Sequence, residues 1–372
     1  MTKYEVVEKT FNFERTPYIP VCGIATTVDF LLDVTGEKEY TKYNGREIYF
    51  RAMKKLDCDI ILQYVLPFPE RFDQVPEASI MPVKHHFTPS IICKQGLHFN
   101  SSEDVRDYIL TLPEPEELEE NFSFEENYLA WIELMQKRDE YMGDMVWIPG
   151  HIARPADFML YSYFGYEPYL MALELYKPEM KKLFEISGEE ARLRNTAIAR
   201  ANQDKNFINW VYLGEDICGK NGPMCSPETL REIYWSATKK ALQPLKEAGI
   251  KVLWHCDGNI MPILGDLIEV GVDGLQGFEE ETGVDLKKLS EVRTKGGKKL
   301  VLFGSLSVTT TLPYGTVEEV EEKIELIIEL SKTRGGGIVL APSSSILNGT
   351  PNKNIYLIFK YSKEYSRKIF AV

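Results

Sequence analysis

Lys251 to Asn259 reads K-V-L-W-H-C-D-G-N, with an imidazole, a thiol and a carboxylate at consecutive positions, His255, Cys256 and Asp257. Between them these groups serve proton transfer, nucleophilic attack and metal ligation. The apolar run Val252, Leu253 and Trp254 comes just before them and Gly258 just after. That is the pattern of a buried strand whose C-terminal end turns onto a site. Side chains alternate along a strand, so His255 and Asp257 share a face and Cys256 points away unless the strand has already turned there.

Other apolar runs also end in groups that could do chemistry. Phe207–Leu213 leads into Glu215, Asp216 and Cys218, and Gly274–Phe278 carries Gln276 and ends at Glu279. Lys299–Ser305 closes on Ser305, and Gly337–Pro342 closes on Ser343, Ser344 and Ser345. Earlier, Met145–Ile152 brings His151, with Arg154 just beyond. His151 and Arg154 read as pocket residues, with a capped loop histidine as the plain alternative.

These runs need elements to hold them. Tyr18–Ala25 and the run C-D-I-I-L-Q-Y-V after Asp57 complete a set of about eight strands, and segments of helical periodicity alternate with those in the second half. Ser226-Pro227-Glu228 begins one such helix, with a cap, a proline at the first position and an acid in the first turn. Short connections between alternating strands and helices require parallel pairing. The expected fold is therefore α/β, a (β/α)8 TIM barrel spanning 1–372 as a single domain, with active-site residues at the C-terminal strand ends. A hairpin excursion is expected at about 79–100, where His85, His86 and His98 lack metal-ligand spacing and read as surface or packing residues.

Composition narrows the partners. The net charge of −13 has no basic block against it, which argues against nucleic acid. No stretch of eighteen apolar residues occurs and the N-terminus is charged, so neither a membrane span nor a signal peptide is expected and the location reads as cytoplasmic. The six cysteines are dispersed and read as reduced thiols.

The blocks G-E-D-I-C-G-K-N-G-P-M-C-S-P-E, H-C-D-G-N, G-V-D-G-L-Q-G-F-E-E-E-T-G-V-D-L, F-G-S-L-S and G-G-G-I-V-L-A-P-S-S-S-I follow one another over roughly residues 205–360. In order and spacing they resemble the uroporphyrinogen decarboxylase superfamily, more loosely from about residue 15. The resemblance implies a TIM barrel and two chemistries: decarboxylation of porphyrinogens, or zinc-dependent methyl transfer involving corrinoid proteins or thiols. The decarboxylases carry an arginine-rich signature near the N-terminus, and here that region offers only Arg15. A substrate with many carboxylates needs several fixed cations. Ser344 also stands where the family's histidine is expected.

The methyltransferase branch implies a metal-ligating histidine at the position of His255, usually in an H-x-C arrangement. Here Asp257 occupies the i+2 position and Cys256 lies at i+1. The candidate metal ligands are His255, Cys256, Glu215 and Cys218, and a metal-free hydrogen-bonded pair of His255 and Asp257 is the other reading. Catalytic candidates are His255, Asp257 and Glu279; substrate-binding candidates are His151, Arg154, Asp216, Gln276, Ser305 and Ser344. The leading expectation is a methyltransferase that demethylates a small methylated compound, such as an aryl methyl ether, and passes the methyl group to a corrinoid held by a partner protein. Zinc would act as a Lewis acid on the leaving atom; without it, His255 or Glu279 would protonate that atom. The alternatives are a decarboxylase of a porphyrinogen or smaller acid, and a non-catalytic ligand-binding barrel.

Overall fold

All eight apolar runs contain a parallel strand. In the computed structural model, which describes residues 1–24, 26–41, 43–62 and 85–370, the barrel strands are β1 Cys22–Gly23, β2 Ile60–Ile61, β3 Val146–Trp147, β4 Trp210–Gly214, β5 Lys251–His255, β6 Gly274–Gln276, β7 Val301–Phe303 and β8 Ile338–Val339. β1, β2 and β3 pair in parallel, as do β4 to β8 in chain order. Single parallel bridges, Gly150 to Tyr212 and Val21 to Leu340, join these two groups at both edges. Backbone bonds flank each bridge, with Tyr212 N donating to Pro149 O at 2.9 Å and Cys22 N to Leu340 O at 2.8 Å. The strands therefore run round a ring, the TIM barrel expected of this alternation.

Strand alternation sorts the core into two parts. Leu62, Ile148, Tyr212, Leu253, Phe303 and Ala341 pack together inside the barrel, where Val7 and Phe11 of the helix Lys3–Phe11 join them. Leu213, Trp254, Cys256, Leu275 and Leu302 belong to the larger cluster between strands and helices. Phe11 meets Trp210 with ring centroids 4.6 Å apart, so the N-terminal helix covers the end where β4 begins. The opposite end, where the strands finish, carries the polar groups.

The helix expected from Ser226 is two: Pro227–Ile233, capped by the Ser226 side chain on Thr229 N, and Trp235–Glu247. The expected hairpin differs more. Residues 85–100 form bends and turns with no strand, and 79–84 lie outside the described residues. Side-chain anchors replace a ladder: Phe99 packs against Phe164 at 4.7 Å between ring centroids, and Tyr108 Oη donates to Ile92 O at 2.6 Å. No described helix is long and apolar enough to cross a membrane.

Candidate metal centre at the strand ends

His255 is the last residue of β5, inward-facing by alternation from Leu253, and Gln276 is its partner at the end of β6. Their approach depends on Gly277, at φ +100°, where a Cβ would lie 2.6 Å from His255 Nδ1. A side chain there would displace the imidazole. Gly214 does the same for the neighbouring strand, since its Cβ would stand 2.0 Å from His255 O.

Two carboxylates converge on the other imidazole nitrogen. His255 Nε2 lies 3.5 Å from Asp216 Oδ1 and 3.7 Å from Asp257 Oδ1, and one ligand atom from each of the three residues falls within 4.8 Å of the others. Asp216 comes from the turn after β4 and Asp257 from the turn after β5. The Asp257 amide donates to Asp216 Oδ1 at 3.3 Å, tying the turns together. Ser344 Oγ, after β8, donates to Asp257 Oδ2 at 3.2 Å and orients that carboxylate.

The tautomer of His255 follows from the groups behind it. Tyr212 Oη donates to Gln276 Oε1 at 2.8 Å, and Gln276 Nε2 donates to Ser343 O at 2.7 Å. The amide is thereby fixed with its oxygen toward His255 Nδ1, 2.6 Å away, so Nδ1 carries the hydrogen and Nε2 is left facing the carboxylates. A lone pair on Nε2 opposite two carboxylate oxygens is repulsive. A proton on Nε2, or a cation among the three residues, relieves it.

Asp257 registers the same tension. Its side chain is 47% exposed, yet Oδ1 is buried and has no hydrogen-bond partner among the described residues. Burial, and then the nearby Asp216 charge, push its carboxyl above the usual range, opposed by His255. An orphaned buried carboxylate oxygen beside a free imidazole nitrogen fits a metal ion. Ligands about 2.0–2.1 Å from zinc in a tetrahedron stand about 3.3 Å apart, close to the two separations found here. The donor set of one nitrogen and two oxygens suits zinc and also manganese or iron(II).

Of the four ligands expected from sequence, His255 alone falls in the described group that could hold a metal, with Asp216 and Asp257; the other three point elsewhere. Cys256 alternates outward, where its Sγ donates to Asp257 O at 3.3 Å and contacts Cys218. Glu215 also faces outward: its Oε2 accepts from the amides of Phe158 and Met159, each at 2.9 Å, and burial pushes its carboxyl well up. Cys218 lies on a short antiparallel hairpin, Cys218–Gly219 with Gly222–Pro223, below the turn at Gly258.

Glu279 also stands outside the cluster. Its oxygens accept from Val308 N at 3.1 Å, Ser343 Oγ at 2.6 Å and Thr309 Oγ1 at 2.7 Å, so it ties down the loop after β7. Ser305 Oγ donates to Phe278 O, an internal contact. Gln276 is buried at 1% exposure behind His255, in a positioning place. Tyr212 is not singled out by the sequence reading; an inward tyrosine one layer below the strand end is the available signal.

His151 takes a left-handed conformation, φ +59°, which sets its ring edge-on to Tyr212 at 5.1 Å. Burial, then the positive charges of His255 and Arg154, pull its pKa down to about 4. Tyr212 also meets His255, at 5.8 Å between centroids, so His151 stands one ring away from the cluster. Beyond it opens a cavity of about 370 Å³ lined by His151, Arg154, Asp157, Glu190 and Arg194, with Phe87 among its apolar walls. A larger cavity of about 830 Å³ lies at the other end of the barrel, where Trp210 and Lys251 begin their strands, and no histidine or cysteine lines it.

An eight-stranded parallel barrel with its polar cluster at the C-terminal strand ends is a TIM barrel with a site where that fold carries its chemistry. Residues 211–365 match the uroporphyrinogen decarboxylase (URO-D) family. The whole chain is similar in fold to a solved methyltransferase from Methanosarcina mazei, with a TM-score of 0.59 and 18% identity over 100% of both chains. Residues 211–365 are URO-D-like in sequence, and the chain shares the fold of that methyltransferase. Comparison with curated proteins gives no match.

Proposed function

We propose that the protein is a methyltransferase that takes a methyl group from a small methylated compound and passes it to a corrinoid protein. The observation that carries this reading is the convergence of His255 Nε2, Asp216 Oδ1 and Asp257 Oδ1 at the C-terminal strand ends, with Asp257 Oδ1 unpartnered. The likeness in fold to a methyltransferase supports it. Zinc held by these three residues would supply Lewis-acid polarisation of the oxygen, nitrogen or sulfur that leaves the methyl group.

The chain's own residues prepare that site. Gln276 keeps the hydrogen on His255 Nδ1 and so presents Nε2, while Ser344 and the Asp257 amide hold the two carboxylates in place. Outer partners of this kind fix ring orientation and ligand basicity. Arg15 is the single arginine in the N-terminal region, which is poor provision for a porphyrinogen's carboxylates.

The test is metal analysis of protein purified without chelator, followed by methyl transfer to cob(I)alamin from a panel of methylated ethers, amines and thiols. At least one equivalent of a divalent metal and transfer from one panel member are expected. Less than about half an equivalent would remove the metal from the proposal. No transfer, with carbon dioxide released from uroporphyrinogen, would replace the reading by decarboxylation.

A further inference from the structure

The cavity beyond His151 has more hydrogen-bond donors than acceptors to satisfy them. Arg154 uses Nε on His151 O at 3.3 Å and forms no salt bridge with any described carboxylate. Arg194 gives Nη2 to Thr88 O, and its Nε is buried with no partner among the described residues. Burial lowers its pKa to about 10, which still leaves it charged at neutral pH. A guanidinium has five donor hydrogens and no acceptor, so two of them on one small cavity call for acceptor atoms.

The cavity's own acids do not supply them. Glu190 accepts from Ser90 Oγ and from Ile91 N, and Asp157 accepts from the Met159 amide and lies against Glu215. Burial pushes both carboxyls up, towards the neutral form. The remaining walls include Phe87, Ile92, Leu134 and Ile152, which would hold an apolar body. At about 370 Å³ the cavity lies at the small end of ligand pockets.

We propose that this cavity binds the carboxylate of a small methylated carboxylic acid, with Arg154 at its mouth as the specificity-determining residue. The proposal rests on the methyl-transfer reading and sharpens it to a substrate class. Arg154 is exposed, so it can engage an incoming anion while the apolar body enters beside Phe87. A planar carboxylate matches a guanidinium fork through two parallel hydrogen bonds. Tyr212 touches both His151, on the cavity wall, and His255, so the cavity adjoins the cluster.

Calorimetry on the full chain tests it, using 4-methoxybenzoate, N,N-dimethylglycine and glycine betaine, each beside its primary amide, which lacks the carboxylate charge. At least one carboxylate should bind, with its amide tenfold or more weaker. Arg154→Gln should weaken that carboxylate at least tenfold and leave the amide unchanged, and Arg154→Lys should recover only part of the loss. No binding by any carboxylate of the panel, equal binding by an amide, or indifference to Arg154→Gln overturns the proposal. Binding that depends on Arg154 without transfer to cob(I)alamin would leave the pocket standing and remove methyl transfer. Transfer from a neutral donor, unaffected by Arg154→Gln, would do the reverse.

Discussion

Replacing Gln276 by Leu removes the group that fixes His255 while nearly keeping its volume. Gln276 accepts from His255 Nδ1 at 2.6 Å and from Tyr212 Oη at 2.8 Å, and donates to Ser343 O at 2.7 Å. Loss of such an outer partner weakens metal affinity about 10–100-fold, or about 1.4–2.7 kcal/mol. The buried groups left behind each cost roughly 1–3 kcal/mol unless they find new partners, so unfolding should also become easier by about 3 kcal/mol. Zinc affinity, read by competition with a chromophoric chelator at neutral pH, should fall within that range, and near-ultraviolet circular dichroism should still show a folded barrel. Gln276→Glu should fall between the two, because its carboxylate still accepts from Nδ1–H and Tyr212 but meets Ser343 O unfavourably. A folded Gln276→Leu protein that binds zinc within threefold of wild type would refute the idea that this amide presents Nε2 to a metal.

Asp257→Asn should weaken zinc at least about 100-fold, more than loss of an outer partner, and zinc should no longer raise its melting temperature; an unchanged thermal shift would place the ion elsewhere. Glu279→Ala should cost about 2–5 kcal/mol in urea unfolding, because three internal donors lose a charged acceptor, with metal content unchanged. Loss of the metal with a cost below about 1 kcal/mol would instead put Glu279 in the centre. His151 titrates near 4 in the folded chain against an ordinary value of 6.5, so the unfolded state binds more protons between those values and stability falls as pH drops through that window. The difference amounts to about 2 kcal/mol at pH 5. His151→Asn, chosen because asparagine tolerates φ +59°, should flatten that part of the stability–pH curve, and an unaltered curve would show that His151 is not held neutral.

The barrel could be read from the chain because each buried strand is an apolar run bounded by polar or glycine residues, and one property, alternation, carries the reading. The same alternation places His255 with Asp257 and turns Cys256 outward, as K-V-L-W-H-C-D-G-N already implied. It could not choose between Glu215 and Asp216. Those acids follow Gly214, where the strand ends and the period lapses; Glu215 is drawn to the amides of Phe158 and Met159, residues 56 or more positions away. No local pattern contains that contact. The described part of the expected hairpin, 85–100, holds no strand for a related reason: apolar and polar residues alternate there, but Phe99 and Ile92 meet helices, and a ladder needs a partner strand as well as a pattern.

The exchange of cysteine for aspartate at i+2 has a chemical consequence. Thiolate ligands favour soft, thiophilic ions, whereas two carboxylates and one imidazole form a harder set. Such a site discriminates less strongly in favour of zinc over manganese or iron(II), and its carboxylates remain bound to Ser344 and to the Asp257 amide. Selectivity for a metal held there would then have to come from geometry. The amide of Gln276 fixes the orientation of His255 in that geometry, so its replacement tests the presentation of Nε2 while leaving all three candidate ligands in the chain.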